Sequence, residues 1–271
     1  MGTSHGIWRS ANYLSKLNFA FTMRIVKLDR NLLSRTQWFL DFDGSLCPHL
    51  EVWEERSYNP DRILQLVDEL HRKSLGVFWN TGRRPESLAS VHKDFLNYPG
   101  YFIHGSVYWN PKTKSAEYLA PLIPDSVGVK FEEALKRHPK LRLEKKPTGL
   151  RVAPFDPVSL SELRLFLESP DFYTPNGWTW HVGARGAELL PTGFDKSTAL
   201  KRESITDGIP VAVGDDLFDG PAFQGAMARG GFAILVGEHC GFATKYQHQS
   251  WQSIYCDDSE EVLKKISELL I

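Results

Sequence analysis

The sequence predicts an α/β fold: a doubly wound, Rossmann-like parallel-sheet core with an inserted small α+β cap of order αββαββ. Three observations predict it. Short apolar runs alternate with helical periodicity up to about residue 120 and again after Pro191. The stretch between reads as helix, two strands, helix and two strands, the pattern of a small antiparallel sheet covered by two helices. Charged or hydroxyl residues gather where core elements end, and the sites of open α/β sheets lie beyond the C-terminal ends of their strands.

Each element follows from its own residues. The run Gln37-Trp38-Phe39-Leu40-Asp41-Phe42-Asp43 reads as a buried parallel strand that closes on carboxylates. A loop with Gly44, Pro48 and Pro60 leads to a helix from about 61, with Ile63, Leu64, Val67 and Leu70 on one face. Gly76–Thr81 is a second buried strand. Pro85 suits the first turn of a helix, and Tyr101–His104 reads as a third, short strand. Pro121 and Pro124 then break the chain. Expected next are a helix over 126–138, strands Leu141–Lys146 and Leu150–Pro154, a helix over 157–168, and strands Trp178–Val182 and Ala187–Leu190. The core resumes with a helix near Lys196, strand Val211–Val213, a helix over 219–227, strands Phe232–Val236 and Ser253–Tyr255, and a closing helix Ser259–Leu270. The expected division is 1–34 as an N-terminal extension, 35–120 with 193–271 as the core, and 121–192 as the cap.

Composition narrows the function. The chain has 271 residues, 42% hydrophobic and 24% charged, with a formal net charge of -1. That balance argues against a nucleic-acid groove or an anionic-membrane surface. With no run of 18 or more apolar residues, no membrane span is expected. Cys47, Cys240 and Cys256 are scattered and form no CxxC pair, as suits reduced thiols and a cytoplasmic protein. Residues 1–28 carry Arg9, Lys16, Arg24 and Lys27 and no acid before Asp29. Organelle targeting is one reading; a short extension is favoured, because the segment has only two Arg and lacks a long apolar stretch. A monomer or weak oligomer is expected.

Four clusters carry the chemistry. In Asp41-Phe42-Asp43-Gly44-Ser45, a turn at Gly44 lets two carboxylates converge that a regular strand would separate. In Asn80-Thr81-Gly82-Arg83-Arg84, a strand-end hydroxyl and a glycine before a helix suit phosphate oxygens; helix capping is the plainer alternative. Lys196 follows Gly193-Phe194-Asp195 and reads as a site cation or as a solvated lysine at a helix start. Gly214-Asp215-Asp216-Leu217-Phe218-Asp219 crowds three acids. Two unit charges about 4 Å apart repel by roughly 4 kcal/mol at an effective dielectric of 20, which a divalent cation relieves. Oxygen ligands beside a phosphate favour magnesium.

In this order, these clusters resemble the motifs of the haloacid dehalogenase superfamily: DxD, Ser or Thr, Lys, and GDxxxD. The αββαββ insert resembles that superfamily's larger cap type. Phe39-Leu40-Asp41-Phe42-Asp43-Gly44, Thr81-Gly82-Arg83, His104-Gly105, Glu188-Leu189-Leu190-Pro191 through Asp195-Lys196, and Gly214-Asp215-Asp216 through Asp219 and Phe223 are similar to the trehalose-6-phosphate phosphatases. So is Ile234-Leu235-Val236-Gly237 with Ala243, Thr244 and Tyr246. Ser45, Thr81 and Ser197 stand where that family has Thr, Ser and Gly, and Phe218-Asp219-Gly220 replaces Thr-Asp-Glu. In the cap, Glu144 and Lys146 match a Glu-x-Lys segment, whereas Ala153-Pro154-Phe155 replaces a His-Tyr-Arg segment, leaving Arg151 as its analogue.

The resemblance implies magnesium-dependent removal of phosphate from a small sugar phosphate, trehalose 6-phosphate above all. It implies catalytic roles for Asp41, Asp43, Thr81 and Lys196, metal binding by Asp41, Asp43, Asp215, Asp216 and Asp219, and substrate binding by Gly82, Arg83, Glu144, Lys146, Arg151 and Glu188. Asp41 would be the nucleophile and Asp43 the general acid and base; Asp216 and Asp219 would reach the metal through water or orient Lys196. The length leaves no room for a synthase partner domain. Three alternatives stay open: a different sugar phosphate, a phosphosugar mutase, and a sugar-phosphate-binding regulator without turnover. Glu188 would face sugar, or else pair with a cap cation and shape the hinge. Trp178 and Trp180 read as cap core, His181 as a strand surface residue, and Cys47 as a bystander.

Overall fold

A computed structural model of the chain describes residues 30–48, 58–183, 185–203, 207–237 and 253–270. Strand β1 (Thr36–Leu40) is buried at every position and lies at the centre of the larger sheet. Its alternating side chains divide between the two faces. Trp38 and Leu40 join Ile63, Val67 and Leu70 of α2 (Pro60–Lys73) and Val262 and Ile266 of α8 (Ser259–Leu270). Phe39 joins Ala199 and Leu200 of α6 (Ser197–Arg202) and Phe223 and Ala226 of α7 (Gly220–Ala228). One strand thus carries helices on both faces, which makes the sheet doubly wound.

The eight strands run in the order β12-β11-β10-β1-β2-β3-β4-β5. They comprise β2 (Gly76–Asn80), β3 (Gly100–Phe102), β4 (Val107–Asn110), β5 (Ser115–Tyr118), β10 (Ile209–Gly214), β11 (Phe232–Val236) and β12 (Ser253–Cys256). From β12 to β3 the pairing is parallel, and β4 and β5 extend the edge antiparallel. Because β1 is flanked by β10 and β2, the topological switch point lies at its C-terminal end. Asn59 caps α2 by accepting from the N–H groups of Asp61 and Arg62, with Pro60 at the first turn. Short helices α1 (Arg30–Leu33) and α3 (Pro85–Val91) complete the core.

After β5 the chain forms α4 (Asp125–Leu135), β6 (Leu141–Lys146), β7 (Gly149–Pro154), α5 (Leu160–Glu168), β8 (Trp178–Val182) and β9 (Ala187–Pro191). The four strands make an antiparallel sheet in the order β6-β7-β9-β8. Phe131, Leu150, Val152, Phe166, Trp178 and Leu189 fill the space between this sheet and its two helices. Trp180 packs against that cluster, stacked edge-on to Phe131 at 5.3 Å.

Three differences from the sequence reading have local causes. The first strand ends at Leu40, because the N–H groups of Leu46 and Cys47 turn back to Phe42 O and Gly44 adopts φ 78°. The β4–β5 hairpin was not expected; β5 reads Ser-Ala-Glu-Tyr, is mostly exposed, and shows no apolar alternation. Helix α1 falls inside the stretch expected to be an extension. Residues 1–28, Cys240, Ala243, Thr244 and Tyr246 lie outside the described residues.

Candidate active site

The parallel strands deliver the first and fourth motifs to one spot. Asp41 follows β1 and Asp215 follows β10, and Asp41 N–H donates to Val213 O at 3.1 Å, carrying the sheet ladder to the edge of the site. Both carboxylates are buried, and with Asp219 each offers an oxygen within 4.8 Å of the others'. The buried Ser45 hydroxyl stands between two of them, 3.3 Å from Asp41 Oδ2 and 3.2 Å from Asp215 Oδ1.

Lys196, at the start of α6, reaches into this cluster. Its Nζ lies 2.9 Å from Asp41 Oδ1 and 2.6 Å from Asp219 Oδ1. Asp219 Oδ2 accepts the N–H groups of Asp215 and Asp216, both at 3.1 Å. With one oxygen on Lys196 and the other on two amides, Asp219 orients Lys196 and the loop rather than facing outward. The close approach requires glycine at 214, where a Cβ would lie 2.1 Å from Asp219 Cγ. Asn80 Nδ2 donates to Lys196 O at 3.0 Å and ties the lysine to the end of β2.

Burial and the crowding of Asp41 and Asp215 push the Asp219 carboxyl up, against the pull of Lys196. Burial opposes the charge on Lys196, but Asp219 and Asp41 outweigh it and hold its ammonium above the ordinary lysine range. A buried set of carboxylate oxygens around one lysine fits a hard divalent cation, which lowers their mutual repulsion. Asp43 and Asp216 stand apart from the cluster of three. Arg83 grips Asp43 in a two-pronged ion pair, Nε to Oδ2 at 2.6 Å and Nη2 to Oδ1 at 2.5 Å, while its guanidinium lies over the Phe42 ring. Asp216 caps the short turn Leu217–Asp219. Thr81 is buried beside them at the end of β2.

The cap turns a charged face toward these strand ends. Along β6, Arg142, Glu144 and Lys146 recur at every second position and line the cavity, as do Arg151 on β7 and Glu188 on β9. The cavity measures about 330 Å³, with Asp41, Thr81 and Lys196 on the core side. Hydrogen bonds tie the cap to the core: Lys146 Nζ donates to Gly82 O at 2.9 Å, and the Thr148 and Ser106 hydroxyls meet at 2.6 Å.

Glu188 is the hub of this face. Its Oε2 takes Lys146 Nζ at 2.8 Å and lies 3.2 Å from His104 Nε2, while Arg151 Nε is 3.8 Å from Oε1. Burial works against its charge, but Lys146, His104 and Arg151 together hold the carboxyl well below the usual range. Both oxygens are thus turned to cations, as in the alternative that gives Glu188 a pairing role in the hinge. His181, opposite Glu188 across the β8–β9 pair, is half-buried, and burial with His104 nearby lowers its pKa.

His104, Phe218, Arg142 and Arg185 also line the cavity without having been singled out from the sequence as site residues. His104 sits at φ 53° with its ring directly under Gly82, where a Cβ would lie 2.6 Å from Nε2. The strict i, i+2, i+4 series on β6 was the available signal for Arg142. No comparable periodicity marks the other three.

No protein-family profile matches the chain. Solved structures do. The C-terminal domain of Candida albicans trehalose-6-phosphate phosphatase superposes with a TM-score of 0.65 at 18% identity, over 90% of this chain and 97% of that one. A phosphatase of the haloalkanoate (HAD) enzyme superfamily from Bacteroides thetaiotaomicron gives 0.57 at 15% identity, over 89% and 98%. The Synechocystis sucrose-phosphatase, in complex with sucrose and phosphate, gives 0.51 at 12% identity, over 87% and 98%. At these identities the likeness is one of fold: the chain has the fold of trehalose-6-phosphate phosphatases and other phosphatases of the haloacid dehalogenase superfamily.

Proposed function

We propose that the chain is a magnesium-dependent phosphatase of sugar phosphate monoesters, with trehalose 6-phosphate as its substrate. One observation carries the reading: Asp41, Asp215 and Asp219 converge with Lys196 at the floor of a cavity whose roof is the charged face of the cap. Asp41 attacks phosphorus, so that its carboxylate gains the phosphoryl group as the bond to the sugar oxygen breaks. Asp43, protonated once it is released from its two-pronged pair with Arg83, gives the leaving oxygen its proton. It then takes one from the water that displaces Asp41 and releases inorganic phosphate. Lys196 and Thr81 hold the equatorial oxygens, with Asp219 keeping Lys196 charged and in place. Asp41 and Asp215, with the main chain at Asp43, would hold magnesium, which would neutralise charge on the phosphate.

The cap supplies the sugar contacts. Glu144, Arg142 and Arg151 present donors and acceptors to hydroxyl groups, and the Lys146–Gly82 strut keeps water out when the cap is down. No helix of the described residues is long and apolar enough to cross a membrane. Cys47 and Cys256 are buried free thiols, in keeping with the cytoplasmic placement we propose. The test is phosphate release from a panel of sugar phosphates, with magnesium present. Turnover of trehalose 6-phosphate above the other sugars supports the full reading, preference for another sugar corrects the substrate, and transfer of phosphate between positions of one sugar indicates a mutase.

A further inference from the structure

Between cap and core stands an aromatic side chain that the proposed chemistry does not use. Phe218 belongs to the short turn Leu217–Asp219 and is half-buried. Its ring centroid lies 4.9 Å from that of His104 in the core and 6.4 Å from that of His181 in the cap. It also fills the space beside Gly183, in the turn between β8 and β9. A Cβ at Gly183 would lie 2.3 Å from Phe218 Cε2 and 2.9 Å from Asp216 Oδ2. That is far inside the normal carbon–carbon contact of about 3.5–4.0 Å, and the ring is stiff. Gly183 does not lie in the left-handed region, so the missing Cβ serves the contact and not the turn. Gly183 N–H closes that turn on Gly186 O at 2.9 Å.

We infer that Phe218 is a positioning residue for the proposed reaction: it seats the cap through the notch at Gly183 and couples that seating to Asp219 and Lys196. The route is short. Asp219 is the next residue after Phe218, its carboxylate holds the amides of Asp215 and Asp216, and its other oxygen holds Lys196. A cap seated on the ring presses on the turn that aims the lysine, and a cap lifted from it leaves that turn unsupported. Sugar-phosphate turnover, which needs the cap down, therefore depends on this contact. Hydrolysis of a small aryl phosphate, which needs the core but not the cap's sugar contacts, feels only the part that passes through Lys196. The inference rests on the phosphatase reading for its kinetic arm alone.

The test is a double-mutant cycle of Gly183→Ala and Phe218→Ala, read by kinetics and by amide hydrogen exchange, with thermal melts showing that each variant is folded. Gly183→Ala should lower kcat for trehalose 6-phosphate by about 100-fold, the scale of a roughly 1 Å misplacement, and lower p-nitrophenyl phosphate hydrolysis by much less, since that ester loses only the support given to Lys196. Exchange should quicken at Gly82, Arg83 and the Lys146–Gly149 turn, where the lifted cap uncovers the core. In the Phe218→Ala background the same glycine substitution should cost far less, because the ring at 2.3 Å is gone and only the Asp216 carboxylate at 2.9 Å has to give way. Equal losses from Gly183→Ala in both backgrounds, or no change in exchange on its introduction, would overturn the inference. If the wild-type chain releases phosphate from neither ester, the phosphatase reading fails, and the exchange cycle still decides the seating role.

Discussion

Replacing Glu188 by Gln removes the single anion among Lys146, His104 and Arg151 while keeping the side chain's size. Glu188 and Lys146 are each about 5% exposed or less, so Lys146 cannot recover the lost charge partner from water. It would keep its bond to Gly82 O and at best a neutral amide. Breaking a buried pair by removing one partner costs about 3–5 kcal/mol; the retained amide oxygen places Glu188→Gln near the lower end, about 3 kcal/mol. For a chain of this size that corresponds to a fall in Tm of roughly 6–12 °C, at about 2–4 °C per kcal/mol. The dependence on pH has a definite sign. Because the folded state holds the Glu188 carboxyl below its ordinary value of 4.5, its stabilisation is complete above that value and is lost as pH falls toward the folded-state pKa. The Tm gap between wild type and variant should be constant from neutral pH down to about 5 and narrow below that. Differential scanning calorimetry across this range is the assay. Equal Tm values at neutral pH, or a gap that widens in acid, would refute the reading of Glu188 as the anchor of the cap's cations.

Other outcomes follow from the same geometry. Asp41→Asn should abolish phosphate release with its Tm held near that of the wild type, since Asp219 still pairs with Lys196 and the crowding of Asp41 with Asp215 is relieved; near-normal release would remove Asp41 as nucleophile. EDTA should stop turnover and added magnesium restore it, and undiminished activity in the chelated sample would exclude a metal role for Asp41 and Asp215. Burial pushes the Cys256 thiol up to about 11 and the Cys47 thiol higher still, so neither should be alkylated by iodoacetamide at pH 8 in the folded protein. Peptide mapping after native labelling checks this, and rapid modification of Cys47 would contradict its buried place beside the first motif.

The core was legible because its strands are buried on both faces and therefore apolar throughout. Trp38-Phe39-Leu40 and Phe232-Ala233-Ile234-Leu235-Val236 need no partner to be recognised. The convergence of Asp41 and Asp215 was legible for a related reason: the parallel strands β1 and β10 bring their C-terminal ends to one edge. The cap was legible through alternation, with Leu141 and Leu150 turned to the helices and Arg142, Glu144 and Lys146 turned to the core. What stayed hidden depends on contacts between distant segments. Nothing local to His104 announces that it meets a carboxylate at position 188, and nothing local to Gly183 announces the ring of Phe218. The β4–β5 hairpin escaped for the opposite reason. Its edge strand β5 is mostly exposed and polar, so the signal is left to Val107-Tyr108-Trp109 of β4 and the turn chemistry of Asn110-Pro111, where Asn110 Oδ1 accepts Lys112 N–H at 3.0 Å.

The central claim is that phosphate leaves its sugar by way of Asp41. Rapid acid quenching of the enzyme with trehalose 6-phosphate and magnesium, followed by peptide mass spectrometry, tests it most directly. The account predicts one phosphoryl group on the peptide that contains Asp41, formed before free phosphate accumulates and absent from Asp41→Asn. Phosphate released with no phosphorylated peptide at any time, or a phosphoryl group on a different residue, would contradict it.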